Sequence, residues 1–320
     1  MAVSTLCPLV RVWRPDWPCP VEAILSTHRR GAGDPTFRRT TDGATWRGVR
    51  TPEGPATLRV CPEPARGTVT GEAWGSGAEW VLAQLPRMLG ADDDPSGFEP
   101  LHEPIADAWR RHGNWRLGAT DLVMESLVPA IIEQKVTGQE AFGAFRTMVH
   151  RYGERAPGPP SEPDPAVRLW LQPTATDLRT IPSWEWLKLP VDGGRSRPIQ
   201  HAARVATSLE RAGRETPQEF DRRVRTLPGI GVWTSAETRS RAMGDADSVS
   251  FGDYHVAADV GFALTGEPVD DDALAVLLEP YAGHRHRVQR LVVLGGLSRP
   301  RHGPRMAPRT HLPSRRGTWG

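Results

Sequence analysis

The segment Leu227-Pro228-Gly229-Ile230-Gly231 constrains this chain more than any other stretch of its 320 residues. Phe220, Val224 and Leu227 recur at helical spacing before it, and Thr234, Ala236 and Ala242 do so after it. Proline and glycine between two such stripes predict a short helix, a tight turn and a second helix. Two glycines around one apolar residue permit positive φ and the close approach of another backbone. Ile230 is then placed to plug between the helices as a hydrophobic pin. The N–H groups of residues 229–232 project from the start of the second helix, where they and the helix dipole favour an anion such as a phosphate oxygen. Nothing in the turn reads a base, so its grip is on a nucleic-acid backbone of any sequence. Turn carbonyls of this kind also suit a monovalent cation, although no side-chain pattern here demands one.

Around this hairpin the chain changes character along its length. Residues 1–80 are rich in Pro, Gly, Thr and Arg. Segments 37–40, 45–49, 56–60 and 67–70 read as strands, with turns at Asp42-Gly43 and Glu53-Gly54-Pro55, which predicts a small antiparallel β domain over 1–80. From Ala78 the spacing becomes helical, through Trp80, Leu82, Leu85, Met88 and Leu89. Asp92-Asp93-Asp94-Pro95 reads as a solvated loop, 120–152 as the most helical stretch with Thr120 as its N-cap, and 156–165 as an exposed Pro-rich loop. Shorter helical segments follow at 166–172, 174–188, 195–212, 216–227, 232–243, 254–264, 270–279 and 283–296. The fold class expected is α+β, with a mainly helical domain over 81–297. Residues 298–320 carry Arg299, Arg301, Arg305, Arg309, Arg315 and Arg316 without an acid and read as a disordered tail.

Composition excludes several classes. Mean hydropathy is −0.45, no run approaches the ~18–20 apolar residues of a membrane span, and no basic segment precedes an apolar leader. We therefore expect neither a membrane nor a secreted protein, and a cytoplasmic location. Cys7, Cys19 and Cys61 are odd in number and form no CxxC, which argues against a disulfide framework and against a Cys-ligated zinc or iron–sulfur site. Net charge is only +2; the 40 basic residues include two lysines, Lys135 and Lys188, leaving 38 arginines. That bias follows from a GC-rich genome as readily as from phosphate binding.

An acid follows the hairpin at a fixed interval. Ser248-Val249-Ser250-Phe251-Gly252-Asp253-Tyr254 is a short extended piece ending at a helix start, and Asp253 lies 20 residues after Trp233. An Asp in that place is an ordinary N-cap. The pair of motifs, however, resembles the helix–hairpin–helix DNA glycosylases with a Gly/Pro-rich loop and a following Asp, and within them the bacterial 3-methyladenine DNA glycosylase II branch. The matching residues are Leu227-Pro228-Gly229-Ile230-Gly231, Trp233-Thr234 and Gly252-Asp253-Tyr254. Upstream, Ile131-Ile132-Glu133-Gln134-Lys135-Val136 matches the family's helix ending in Gln before its DNA-wedge loop. Weak similarity runs from about residue 80 to 296.

The resemblance implies a helical pair of subdomains flanking a cleft, preceded by an antiparallel β domain, with double-stranded DNA bearing a damaged base as partner. It implies a monomer without cofactor or metal. It assigns Asp253 the catalytic carboxylate, Gly229, Ile230, Gly231, Thr234, Gln134 and Lys135 the DNA contacts, and Trp233 and Tyr254 the base pocket. Bifunctional members carry a lysine where this chain has Trp233, so a monofunctional glycosylase acting on alkylated purines is expected, leaving an abasic site. Three departures stand against the pattern: Lys135 where an apolar wedge is usual, Glu237 where an aromatic is found one turn past Trp233, and no tryptophan between Tyr281 and Leu294. They keep a second reading open, a non-catalytic binder of damaged DNA. The basic run Tyr281-Ala282-Gly283-His284-Arg285-His286-Arg287 is placed either to face DNA or to brace the cleft.

Overall fold

The computed structural model describes residues 7–159 and 168–300. The expected basic tail beyond residue 300 and most of the Pro-rich loop, 160–167, lie outside the described residues. Strands β1 (Leu9–Trp13), β2 (Phe37–Arg39), β3 (Thr45–Thr51), β4 (Gly54–Glu63) and β5 (Thr68–Trp74) form one antiparallel sheet in the order β1-β5-β4-β3-β2. β3 and β4 pair from Thr45↔Val60 to Thr51↔Gly54, so the turn at Pro52-Glu53 closes a tight hairpin. The edge strand β1 was not expected from the sequence. Leu9, Val10 and Val12 are all more than half exposed, and the alternation from Val10 to Trp13 puts the valines on the outer face, opposite to the apolar-inward pattern that marks a half-buried strand.

Helices α1 (Val21–Leu25), α2 (Ala78–Ala83) and α3 (Leu85–Met88) close over the sheet. Val49, Leu58 and Val60 share a core with Leu82, Leu85, Leu89, Trp115 and Leu117. The helical part comprises α4 (Glu103–His112), α5 (Val123–Ile132), α6 (Gly138–Tyr152), α7 (Ala175–Thr180), α8 (Ser183–Lys188), α9 (Gly193–Arg204), α10 (Ala206–Ala212), α11 (Pro217–Val224), α12 (Val232–Ala242), α13 (Val256–Thr265), α14 (Asp271–Leu278) and α15 (Arg285–Leu294). Between α6 and α7 a helix was expected over 166–172. Instead β6 (Glu154–Arg155) pairs with β7 (Trp170–Leu171), where Leu171 is buried and Arg155 lies over the Trp170 ring.

Two helical cores are separate. Leu127, Ile131, Phe145, Trp186, Ile199, Phe220 and Ile230 build one, from α5 through α11. Ile105, Val260, Leu274, Tyr281, Val288 and Leu291 build the other, from α4 and α13–α15. The chain passes between them along α12 and the segment 244–254.

Long-range polar contacts replace two local features expected from sequence. Thr120 does not cap α5, because the helix begins at Val123. The Glu210 carboxylate, from α10, instead accepts the Val123 and Met124 N–H groups at 2.8 and 2.9 Å. Asp93 is not solvated. It accepts from Arg287 at 2.6 and 3.1 Å and from the Leu117 N–H, and the Arg287 side chain is wholly buried. Removing one partner of a buried pair strands the other charge, at a cost of about 3–5 kcal/mol. Asp93→Ala should lose about that much stability in a denaturant titration. Asp92→Ala, which removes only a surface pair with Arg87, should lose no more than ~1 kcal/mol.

Candidate functional site

The hairpin is the turn that runs from the end of α11 at Val224, through Pro228 and Gly229, to the start of α12 at Val232. Gly229 has φ +87°, and a Cβ there would stand 2.3 Å from the Pro198 ring of α9, so both backbone and packing demand glycine. Gly231 differs from expectation: its φ is −102°, extended backbone open to any residue, and a Cβ there meets no atom within 4 Å among the described residues. What Gly231 supplies is clear approach. Ile230 is buried in the first helical core, which makes it the expected pin. Its own N–H is spent on the Leu227 carbonyl at 3.1 Å, so it belongs to the turn and not to the donor array. The first bond onto the hairpin runs from Ser235 N–H to the Gly231 carbonyl. This leaves the N–H groups of Val232, Trp233 and Thr234 as the outward first-turn donors of α12.

Gln134 and Thr234 take different roles from those expected. The Gln134 side-chain amide, at the end of α5, donates to the Gly229 carbonyl at 2.9 Å and to Thr234 Oγ1 at 2.8 Å. Thr234 is buried. Both side chains therefore hold the hairpin in place from beneath. Lys135 is exposed beside this clamp with φ +54°, in the turn between α5 and α6.

The carboxylate of Asp253 is held from two sides. Oδ1 accepts from the N–H groups of His255 and Val256, at 2.8 and 3.2 Å, in the turn that leads into α13. Oδ2 accepts from the indole Nε1–H of Trp233 at 3.0 Å. The turn contacts and a tie to the hairpin are thus compatible: the carboxylate is only half-buried, with its ring-side oxygen bound to the first turn of the hairpin helix. Tyr254 is 84% exposed and packs edge-on against His255, so it lines no enclosed pocket in this structure.

No family model matches the chain, and no curated protein matches it significantly in sequence. Solved structures match it over nearly their whole length. A 3-methyladenine DNA-glycosylase from Archaeoglobus fulgidus superposes with a TM-score of 0.72 at 17% identity, covering 89% of this chain and 98% of the other. MBOgg1 in complex with a low-affinity DNA ligand gives 0.67 at 13% identity, covering 90% and 98%. The Clostridium acetobutylicum 8-oxoguanine glycosylase/lyase in complex with DNA gives 0.64 at 10% identity, covering 91% and 98%. The fold is the one these DNA-glycosylase structures share.

Within this glycosylase fold, the residues below Trp233 form an ionised floor that sequence reading only partly reached. Glu237 lies one turn along α12 on the Trp233 face. Its carboxylate pairs with Arg241 at 2.5 Å and accepts from Ser250 Oγ at 2.6 Å. Burial alone would raise its pKa, but the Arg241 charge and the Ser250 hydroxyl hold it down to about 2. Arg241 also donates to the Thr27 carbonyl, and Arg30 pairs with Glu133 at 3.0 Å. The Glu237–Arg241 spacing was legible as an i, i+4 pair; the Arg30–Glu133 pair, 103 residues apart, was not. His286 and Arg287 are buried: His286 Nδ1 lies 2.9 Å from the Ser248 carbonyl, and burial followed by the Arg290 charge lowers its pKa to about 4. Among the described residues no cluster of three or more His, Cys, Asp or Glu could hold a metal, and no helix is long and apolar enough to cross a membrane.

Two outcomes follow. His286 and Glu237 both titrate lower in the folded chain than their ordinary values of 6.5 and 4.5. Each therefore gives the unfolded state a proton-binding advantage at low pH. Stability should fall as pH drops from 6.5 to about 4, through His286, and again from 4.5 towards 2, through Glu237. His286→Phe should make the first interval shallower in a thermal-melt series, His28, His150 and His284 keeping a share of it, while leaving the second. Gln134→Ala should loosen the hairpin and with it the Trp233–Asp253 contact, seen as faster hydrogen exchange of the Val232, Trp233 and Thr234 amides.

Proposed function

We propose that this chain is a monofunctional DNA glycosylase. It grips duplex DNA through the α12 hairpin, turns a damaged purine out of the stack and hydrolyses its N-glycosidic bond to leave an abasic site. The observation that carries the reading is the half-exposed Asp253 carboxylate, tethered by two backbone N–H groups on one side and by Trp233 on the other.

Breaking the C1′–N bond builds positive charge on the deoxyribose. A preorganised carboxylate across from C1′ stabilises that cation and orients the incoming water. Water adds to C1′, its proton passes to solvent, and the bonding pair leaves with the base. No lysine serves as nucleophile in the hairpin, since Lys135 and Lys188 are the only two in the chain; a Schiff-base lyase step therefore has no amine at position 233 to run it.

The finer reading is a substrate of the 3-methyladenine type. Such purines carry positive charge, which already weakens the glycosidic bond. Trp233 spends the edge of its indole on Asp253, which leaves its electron-rich faces for a flat cationic base.

Incubating the protein with methylated duplex DNA should release free methylpurine without strand scission, and borohydride should trap no covalent adduct. Asp253→Asn should lower release by at least ~100-fold while duplex affinity stays within about twofold. Release by the Asn variant at the parent rate would remove Asp253 from the chemistry. No release of any methylated, oxidised or deaminated base by the parent chain would leave a binder of damaged DNA.

A further inference from the structure

A recess that shares Arg30 with the ionised floor lies between β3 and helices α5, α6 and α10. Its volume is about 500 Å³, within the range of pockets that hold small organic ligands. Phe37, Phe145 and Met124 give it an apolar wall.

Its floor is under-satisfied in hydrogen bonds. His28 and Arg47 line it and are only 9% and 4% exposed. The His28 Nε2 atom is sealed from solvent with no partner among the described residues. Burial, then the charges of Arg47, Arg241 and Arg30, keep the ring neutral by driving its pKa well below the ordinary value. Arg47 pairs with Glu125 through one terminal nitrogen, but its other contact is the Met88 thioether, a weak acceptor for a guanidinium.

At the rim the balance is also towards donors. Arg211 and Arg214 are exposed, line the same recess, and form no ion pair among the described residues. The acids lining it are engaged: Glu125 by Arg47, Asp121 by Arg87, and Glu210 by the first two N–H groups of α5, with the Arg214 charge also acting on it. Arg214 precedes α11, whereas the hairpin follows it, so an eight-residue helix about 12 Å long separates rim from hairpin.

We propose that this recess binds a small organic anion with an aromatic body. The ring packs against Phe37, Phe145 and Met124, the acid group is held by Arg211 and Arg214, and the body lies over the His28 side of the floor. This site does not depend on the cleft being catalytic.

The test is a fluorescence titration of the full chain with 8-anilino-1-naphthalenesulfonate, an aromatic sulfonate. A single saturable site is expected, weakened at least about tenfold in the Arg211→Ala/Arg214→Ala variant, whose changes are on the surface and leave the fold intact. His28→Phe, checked for a native melt, should weaken it as well, and inorganic phosphate should not displace the probe at equal concentration. Absence of saturable binding, or unchanged affinity in the rim variant, overturns the proposal. Displacement by undamaged duplex DNA also overturns it, since the two arginines would then serve a nucleic-acid backbone.

Discussion

The hydrogen bond from the Trp233 indole to Asp253 fixes the working geometry of this molecule. Its two ends belong to different parts of the helical fold. Trp233 sits in the first turn of α12, which leads out of the hairpin, and Asp253 lies in the turn that leads into α13, whose core is built with α4, α14 and α15. Because Trp233 follows Gly231 by two residues, whatever the hairpin grips is held at a set distance from the carboxylate. Gln134 extends the same constraint to α5 by tying Gly229 and Thr234 from below. Displacing the hairpin therefore displaces the acid's partner.

The ionised floor shows how the three cores are kept in register. Most apolar packing stays within each core, apart from contacts such as Leu294 of α15 and Ala246 against the sheet core, and the charged contacts run between the units. Arg241 reaches the Thr27 carbonyl near the sheet, Glu237 accepts from Ser250 on the segment leading to Asp253, and Arg30 pairs with Glu133 at the end of α5. Buried charges are costly unless paired and hydrogen-bonded. A misplaced unit would leave one of these groups alone, whereas apolar surfaces slide past one another with little penalty. Directional contacts thus fix how the sheet and the two helical units meet.

Much of this was legible because the informative residues are close in sequence. The Pro-Gly-Ile-Gly turn, its flanking stripes and the acid 20 residues on lie within one short segment, and three of the four predicted strands flank turns that a reader can recognise. What escaped shares one property: the partner is distant. Gln134 is 95 residues from Gly229, Glu210 caps a helix 87 residues upstream, and Arg287 finds Asp93 across 194. No local pattern distinguishes such a carboxylate from one in water, which is why Asp93 read as solvated. Strand β1 escaped for the opposite reason, since its edge position leaves exposed the residues whose burial would have marked it. Tyr254 shows the limit of adjacency: it neighbours the acid in sequence yet points to solvent.

The identity of residue 233 bears on the charge at the centre of the proposed reaction. A lysine there would bring an ammonium to the carboxylate, and its positive charge would offset part of the negative charge offered to the sugar. An indole N–H donates to the same oxygen while remaining neutral. It orients the carboxylate and leaves its full charge facing the cation that forms as the base departs. At an effective dielectric of about 20, two unit charges 4 Å apart interact by roughly 4 kcal/mol, so a neutral donor in place of an ammonium changes the field at C1′ by an amount comparable to a large catalytic effect. In the proposed reaction the tryptophan is thus the counterpart of the missing nucleophile: with no amine to attack the sugar, the carboxylate would carry the stabilisation alone, held by a donor that does not neutralise it.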